Sequence, residues 1–291
     1  MKAAFYLGVH GTEPERTIRA LMDNRGWLLE NGVEPIPPSR HRGLFEEALA
    51  ALSGGAATPE MEEVLLDSIL DSDDPQRIII SQPALIGVPA RCLAEPGFFA
   101  AAGPKMVAAA NLFPGADAEF FMALRNPATL IPFMLDKIDP GRAGQLMAGR
   151  DPESMRWAPA IRQILQSIGR RRLVLWCHED SPLIWPEVLR RLSTIPADVP
   201  LRAGLAALAD VLTDDGMTEL RAALKAAPRL TIDSRRDIFS QTLERHARRD
   251  AIETTIILPG WTQDRVDRMT AAYDEDVAEI AALPGVEFIA P

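Results

Sequence analysis

The chain has 291 residues, nearly half of them hydrophobic, and a formal net charge of −10. That length suits one α/β domain over residues 1–291, and the acidic balance argues against nucleic acid as a partner. Two cysteines without a CxxC spacing, and no apolar run near the ~20 residues a membrane span needs, exclude a disulfide framework, a zinc cluster and a transmembrane anchor.

In chain order, "AAFYLGV" (3–9) reads as a buried strand, and "PERTIRALMDNRGWLLENG" (14–32) as one helix that starts at a proline and ends at a glycine. "HRGLFEEALAALSGG" (41–55) and "TPEMEEVLLDSILDS" (58–72) follow as helices before the strand "RIIIS" (77–81). The strand "EFFMALR" (119–125) leads into the helix "NPATLIPFMLDKI" (126–138), and the strand "RLVLWCH" (172–178) into "SPLIWPEVLRRLSTI" (181–195). Residues 195–250 read as a helical insertion within the same domain. Two more strands are expected at "ETTIILP" (253–259) and "VEFIAP" (286–291), on either side of a long amphipathic helix (261–285). The main strand runs are continuous rather than alternating, as in a sheet covered on both faces. Strands alternating with helices give the expected fold class: α/β, a doubly wound, mostly parallel sheet with a helical insertion.

Ligands in such sheets bind beyond the carboxyl ends of the strands. Those ends carry His10 with Thr12, Ser81 with Gln82, Arg125 with Asn126, and His178 with Glu179 and Asp180. Polar residues there also serve as helix caps. His10 and His178 are the candidate acid–base groups by position. Cys177 and His178 are neighbours on a strand and point to opposite faces, which argues against a nucleophile–base pair. No residue spacing suggests a metal site. Arginines in "SRRDIFSQTLERHARRD" (234–250) are interleaved with acids and read as a solvated face.

The first turn, "HGTEPER", is a poor anion cradle. It has one glycine and no lysine, Pro14 removes a backbone donor, and Glu13 and Glu15 place negative charge at the positive end of a helix dipole. Thr12 and Glu15 have the spacing of a capping box, so the helix start is expected to be satisfied by its own side chains.

The segment "LGVHGTEPERTIRALMDNRGWLLENGV" nevertheless resembles the N-terminal part of the P-loop sulfotransferase superfamily. His10, Thr12, Leu21, Asn24, Arg25, Gly32 and Val33 stand at matching positions. "AEFFMALRNPATLIPFM" resembles the strand whose terminal arginine, followed by a proline, binds the 3′-phosphate of 3′-phosphoadenosine 5′-phosphosulfate (PAPS); Arg125 and Pro127 fit that pattern. "LVLWCHEDSPLIWPEVLRRL" and "TAAYDEDVAEIAALPGVEFI" resemble later segments of bacterial members. The resemblance implies a P-loop, sulfotransferase-like fold, PAPS or adenosine 3′,5′-bisphosphate as the cofactor class, and Thr12, Arg16 and Arg125 as the residues nearest to it.

The departures fall where the chemistry would be. The lysine that contacts the transferring group is replaced by Gly11, the loop glycine by Glu13, the two threonines by Pro14 and Glu15, and the closing serine or threonine by Arg16. The serine that shares the 3′-phosphate falls near Phe133. Sulfuryl transfer depends on positioning and on neutralising developing charge, and these changes oppose both. The expected function is therefore a divergent sulfotransferase-like protein without PAPS-dependent sulfuryl transfer, and rebuilding the loop from Gly11, Glu13, Pro14 and Glu15 should raise nucleotide affinity. Two alternatives stay open: an active transferase holding PAPS or a related nucleotide through Arg125 and Arg16, and an unrelated α/β enzyme using His10 and His178. A small-molecule ligand, no nucleic acid, no membrane and a cytoplasmic location are the expected setting; Met1–Val9 is too short for a signal peptide, and oligomeric state leaves no mark in the sequence.

Overall fold

The computed structural model describes residues 1–291 apart from Glu13, Ala84, Glu95, Pro228 and Arg229. Its centre is a parallel sheet of β1 (Lys2–Leu7), β2 (Val33–Ile36), β3 (Arg77–Ser81), β4 (Asp117–Leu124), β5 (Arg172–Cys177) and β6 (Val286–Phe288), in the order β2-β3-β1-β4-β5-β6. The strand β1 is interior, with Phe5 in register with Ile80 of β3 and Phe120 of β4. Both its faces are apolar because both are covered. Ala3, Phe5 and Leu7 join one core and Ala4 and Tyr6 the other, the alternation a strand imposes.

The helices divide accordingly. On one face lie α1 (Pro14–Asp23), α2 (Arg25–Glu30) and, from further along, Ser181–Ser193, through Leu21, Leu28, Ile184 and Val188. On the other lie α3 (Leu44–Leu52), α4 (Pro59–Ile69), α5 (Ala102–Ala110), α6 (Pro127–Asp136) and α7 (Trp157–Ile168). With Ser181–Ser193 taken as α8, there follow α9 (Asp214–Ala226), α10 (Ile232–His246) and α11 (Gln263–Ala281), the last packing on the α7 face through Met269 and Tyr273. The chain is a doubly wound, parallel α/β fold. The β1-to-β2 crossover runs over the α1 face and those from β2 to β5 over the opposite face, while the β5-to-β6 connection starts on the α1 face with α8 and reaches β6 through α11 on the other.

Four expectations need correction. The helix over 14–32 is two helices, interrupted at Asn24, whose amide donates to Ala20 O (2.7 Å) and Arg202 O (3.0 Å) and accepts from Arg202 N–H (3.0 Å). These bonds tie the break to the segment before α9. The strand β2 was not foreseen: Val33–Ile36 contains Glu34 and Pro35, and proline is tolerated because β2 is an edge strand. Buried Glu34 accepts backbone N–H groups from Asp71 (2.7 Å) and Ser72 (3.1 Å), which stitches the turn after α4 to that edge. Residues 253–259 form no strand; they run along the surface with Ile257 94% exposed, and β6 takes the place beside β5. Finally, the Thr12 hydroxyl donates to Val9 O (2.7 Å), and among the described residues it accepts no bond from Glu15 N–H, so the capping box is not formed. Glu13 lies outside the described residues.

Within 195–250, α9 and α10 enclose a small core of Leu208, Leu212, Met217, Leu220 and Phe239. The α10 arginines pair across helices, Arg235 with Glu187 and Arg245 with Glu219, rather than along their own helix.

Candidate functional site

The carboxyl end of β1 is built around two close approaches. A side chain at Gly8 would stand 2.7 Å from Pro14 Cβ, so the first turn of α1 rests directly on the strand end. Gly11 has φ +71°, and a Cβ there would lie 2.0 Å from Arg125 Nη1. That space is filled because Arg125 reaches back from the end of β4, and its Nη1 donates to Gly11 O at 3.0 Å.

Arg125 is held at every part. Its Nε donates to Thr129 Oγ1 (3.1 Å), its guanidinium lies 5.1 Å from the Phe133 ring centre, and its carbonyl accepts from Trp157 Nε1 (2.8 Å). Next to it, Asn126 caps α6 by accepting from Ala128 N–H (2.9 Å), while its own N–H donates to Glu179 (2.8 Å). Glu179 also accepts from Tyr273 OH (3.2 Å), which anchors α11 at the end of β5.

Arg16 ion-pairs with Asp210. His178 lies between these two arginines electrostatically: burial first, then the charges of Arg125 and Arg16, push its pKa down to about 4. The imidazole is neutral at neutral pH. The structure thus brings Arg16, Arg125 and His178 into one neighbourhood, and Thr12 beside it with its hydroxyl turned to Val9 O.

His10 belongs to another neighbourhood. Its Nε2 is 3.0 Å from Gly87 O and 3.8 Å from Cys92 Sγ, and its ring lies 6.5 Å from that of Phe99. Burial lowers its pKa against the opposing pull of the Gly87 carbonyl. Burial also pushes the Cys92 thiol up to about 12, and the nearby Lys105 charge offsets this only in part. Cys177 is likewise pushed up to about 12, by burial first. Neither thiol is a thiolate near neutrality, so neither has the form a nucleophile needs. Among the described residues no cluster of three or more His, Cys, Asp or Glu side chains could hold a metal ion.

Beside Arg125 opens a cleft of about 910 Å³, walled by Phe133, Met147, Leu258 and Trp261, with Arg150 and Arg265 also on its lining. Three groups that shape this end of the sheet had no signature in the sequence. Asp210 reaches Arg16 from the segment before α9, Trp157 reaches the Arg125 carbonyl from α7, and Lys105 comes from α5 to the His10–Cys92 cluster.

The depressed histidines give a pH dependence with a definite sign. His10, His41 and His178 all have lowered pKa values, burial being the largest cause in each. The unfolded chain takes up these protons first, near the ordinary histidine value of about 6.5. Stability is therefore expected to be complete above that pH and to fall as pH drops from about 6.5 toward the folded values, reaching down to about 4 for His178. Thermal unfolding between pH 7 and pH 5 should show the decline, set against an opposite contribution from Glu179 and Asp180, whose carboxyls burial holds above the usual range. His178→Gln should flatten it, and a variant as steep as the parent would remove His178 as a cause.

Comparison of the chain with protein-family models, with curated proteins and with solved structures finds no match in any of the three.

Proposed function

We propose that the protein is a divergent relative of the P-loop sulfotransferases that keeps their α/β architecture and does not transfer sulfuryl groups from PAPS. The observation that carries this reading is the bond from Arg125 to Gly11 O. The arginine that the resemblance assigns to the 3′-phosphate is bonded to the backbone of the turn that would hold the phosphosulfate. Arg16 and Thr12 support it in the same way, one paired with Asp210 and the other with Val9 O. A nucleotide phosphate entering here would compete with bonds already made and would meet carboxylates at Glu15 and Asp210. Each carboxylate at contact distance opposes an anion by about 1–4 kcal/mol, depending on local dielectric.

On this reading the protein is cytoplasmic and takes a small molecule other than a sulfonucleotide. Two free, buried cysteines, and the lack of any helix long and apolar enough to cross a membrane among the described residues, accord with that.

Calorimetric titration with adenosine 3′,5′-bisphosphate at physiological ionic strength is the test. Binding weaker than about 1 mM is expected, a free energy of no more than about 4 kcal/mol. Micromolar binding that disappears in Arg16→Ala would replace this reading with that of a nucleotide-binding transferase, since it would mean that Arg16 exchanges Asp210 for phosphate.

A further inference from the structure

At the carboxyl end of β3 a second hollow, of about 340 Å³, lies between α3, the turn after Gln82 and α5. Leu49, Leu52 and Leu85 make much of its wall, and its polar lining is Glu46, Gln82 and Lys105. Glu46 is committed elsewhere, accepting from Gly43 N–H at 2.6 Å. Gln82 Oε1 is shut off from solvent and has no hydrogen-bond partner.

Lys105 is the odd member of a small set. The chain has four lysines, Lys2, Lys105, Lys137 and Lys225. Lys2 pairs with Glu119 and Lys137 with Asp136, while Lys225 is exposed. Lys105 is partly buried, and among the described residues it makes no hydrogen bond and no ion pair. A Cβ on Gly87 would lie 3.4 Å from its Nζ and 3.4 Å from Cys92 Sγ, so the ammonium sits against backbone and thiol. Arg91 is close enough to act on it electrostatically and also has no hydrogen-bond or ion-pair partner among the described residues. Burial lowers the Lys105 pKa and the Arg91 charge adds to this, Cys92 acts the other way, and no carboxylate is paired with the ammonium among the described residues.

An anion would supply the counter-charge, and the leucine wall selects which kind. A dianion such as phosphate would lose most of its hydration beside three leucines, and Lys105 is the one cation on the lining to compensate. A monoanion on a hydrocarbon body satisfies both parts of the lining. The volume is at the low end for small-molecule sites, so the body is short. Turning the Gln82 amide about its last bond offers an N–H to the second carboxylate oxygen with no change of shape. We propose that this hollow binds a small carboxylic acid with a branched apolar body, its carboxylate paired with Lys105 and its hydrocarbon packed on Leu49, Leu52 and Leu85. None of these residues belongs to the turn after β1 or to the end of β4, so the assignment is independent of the sulfotransferase-like reading.

The test is calorimetric titration of the full chain with 4-methylpentanoate, with 4-methylpentanamide and inorganic phosphate as comparisons. The acid should bind, and the amide and phosphate at least about tenfold more weakly, the loss of one charge-assisted contact. Lys105→Met, checked for native circular dichroism, should lose the acid by a similar factor. No heat from the acid, equal binding of acid and amide, equal binding of phosphate, or undiminished binding by a folded Lys105→Met would each overturn the proposal. Should Lys105→Met not fold, the acid–amide comparison on the parent chain decides alone.

Discussion

Glu119→Ala is expected to lower the free energy of unfolding by about 3–5 kcal/mol, the range for breaking a buried ion pair by removing one partner. Glu119 is 2% exposed near the start of β4, and three cations converge on it from β1, β3 and β5. Lys2 Nζ is 2.9 Å away, Arg77 Nη2 2.8 Å and Arg172 Nη1 3.3 Å. The Arg77 contact is one of charge rather than an aligned hydrogen bond, and its Nε donates to Leu192 O (3.0 Å). Arg77 and Arg172 lie 5.8 and 5.7 Å from the Phe121 ring centre, so their positions are fixed by packing as well. Without Glu119, a 5%-exposed Arg77 would keep its charge with no ion-pair partner among the described residues, while Arg172 would keep Glu287. Burial raises the Glu119 pKa, but the Lys2 hydrogen bond and the Arg77 and Arg172 charges outweigh it, and the net shift is downward. Its contribution is therefore present above the ordinary carboxylate pKa and lost as pH falls through the lower folded value. Urea unfolding of Glu119→Ala and Glu119→Gln at pH 7 measures this. A loss under about 1 kcal/mol for the alanine variant would mean that the cluster behaves as a solvated surface network.

That cluster lies at the opposite end of the sheet from the candidate site, and the two ends differ in how far they can be read from sequence. The strands β1, β3, β4 and β5 are legible because parallel strands covered on both faces must be continuously apolar. Glu34 and Pro35 hide β2, since an edge strand is free of that requirement. Residues 253–259 have strand composition, yet a strand also needs an open edge, and β6 pairs with β5 through Leu173, Val174 and Leu175. Composition carries no information about which edge is taken. The same holds for the site. The positions of His10, Arg125 and His178 at strand ends follow from the strand pattern alone. Their division into two neighbourhoods does not, because Asp210, Trp157, Cys92 and Lys105 arrive from segments 32 to 194 residues away from their partners in sequence, through packing that no local pattern encodes.

Gly11→Lys restores the lysine of the resembled loop, and it is expected to displace Arg125 and destabilise the fold by about 2–5 kcal/mol rather than create an anion site. Two terms add. A non-glycine residue at φ +71° costs about 1–2 kcal/mol. The first side-chain carbon would also stand 2.0 Å from Arg125 Nη1 and 3.1 Å from Phe133 Cδ1. Arg125 must then leave Gly11 O, and a hydrogen bond to a charged group is worth about 1.5–3 kcal/mol. Because the β-carbon alone is enough, Gly11→Ala should lose nearly as much. On an Arg125→Met background the conflict is largely removed, and Gly11→Ala should cost only the backbone term; the difference between the two backgrounds is the coupling energy of the turn to β4. This revises the expectation drawn from sequence, in which rebuilding the loop would by itself raise nucleotide affinity. A lysine at position 11 and the present seat of Arg125 exclude one another, so the loop and the arginine have to change together. A Gly11→Lys protein as stable as the parent, with measurable affinity for adenosine 3′,5′-bisphosphate, would show that Arg125 gives way freely, and the turn would then be a phosphate loop weakened chiefly by its missing lysine rather than one closed by its neighbour.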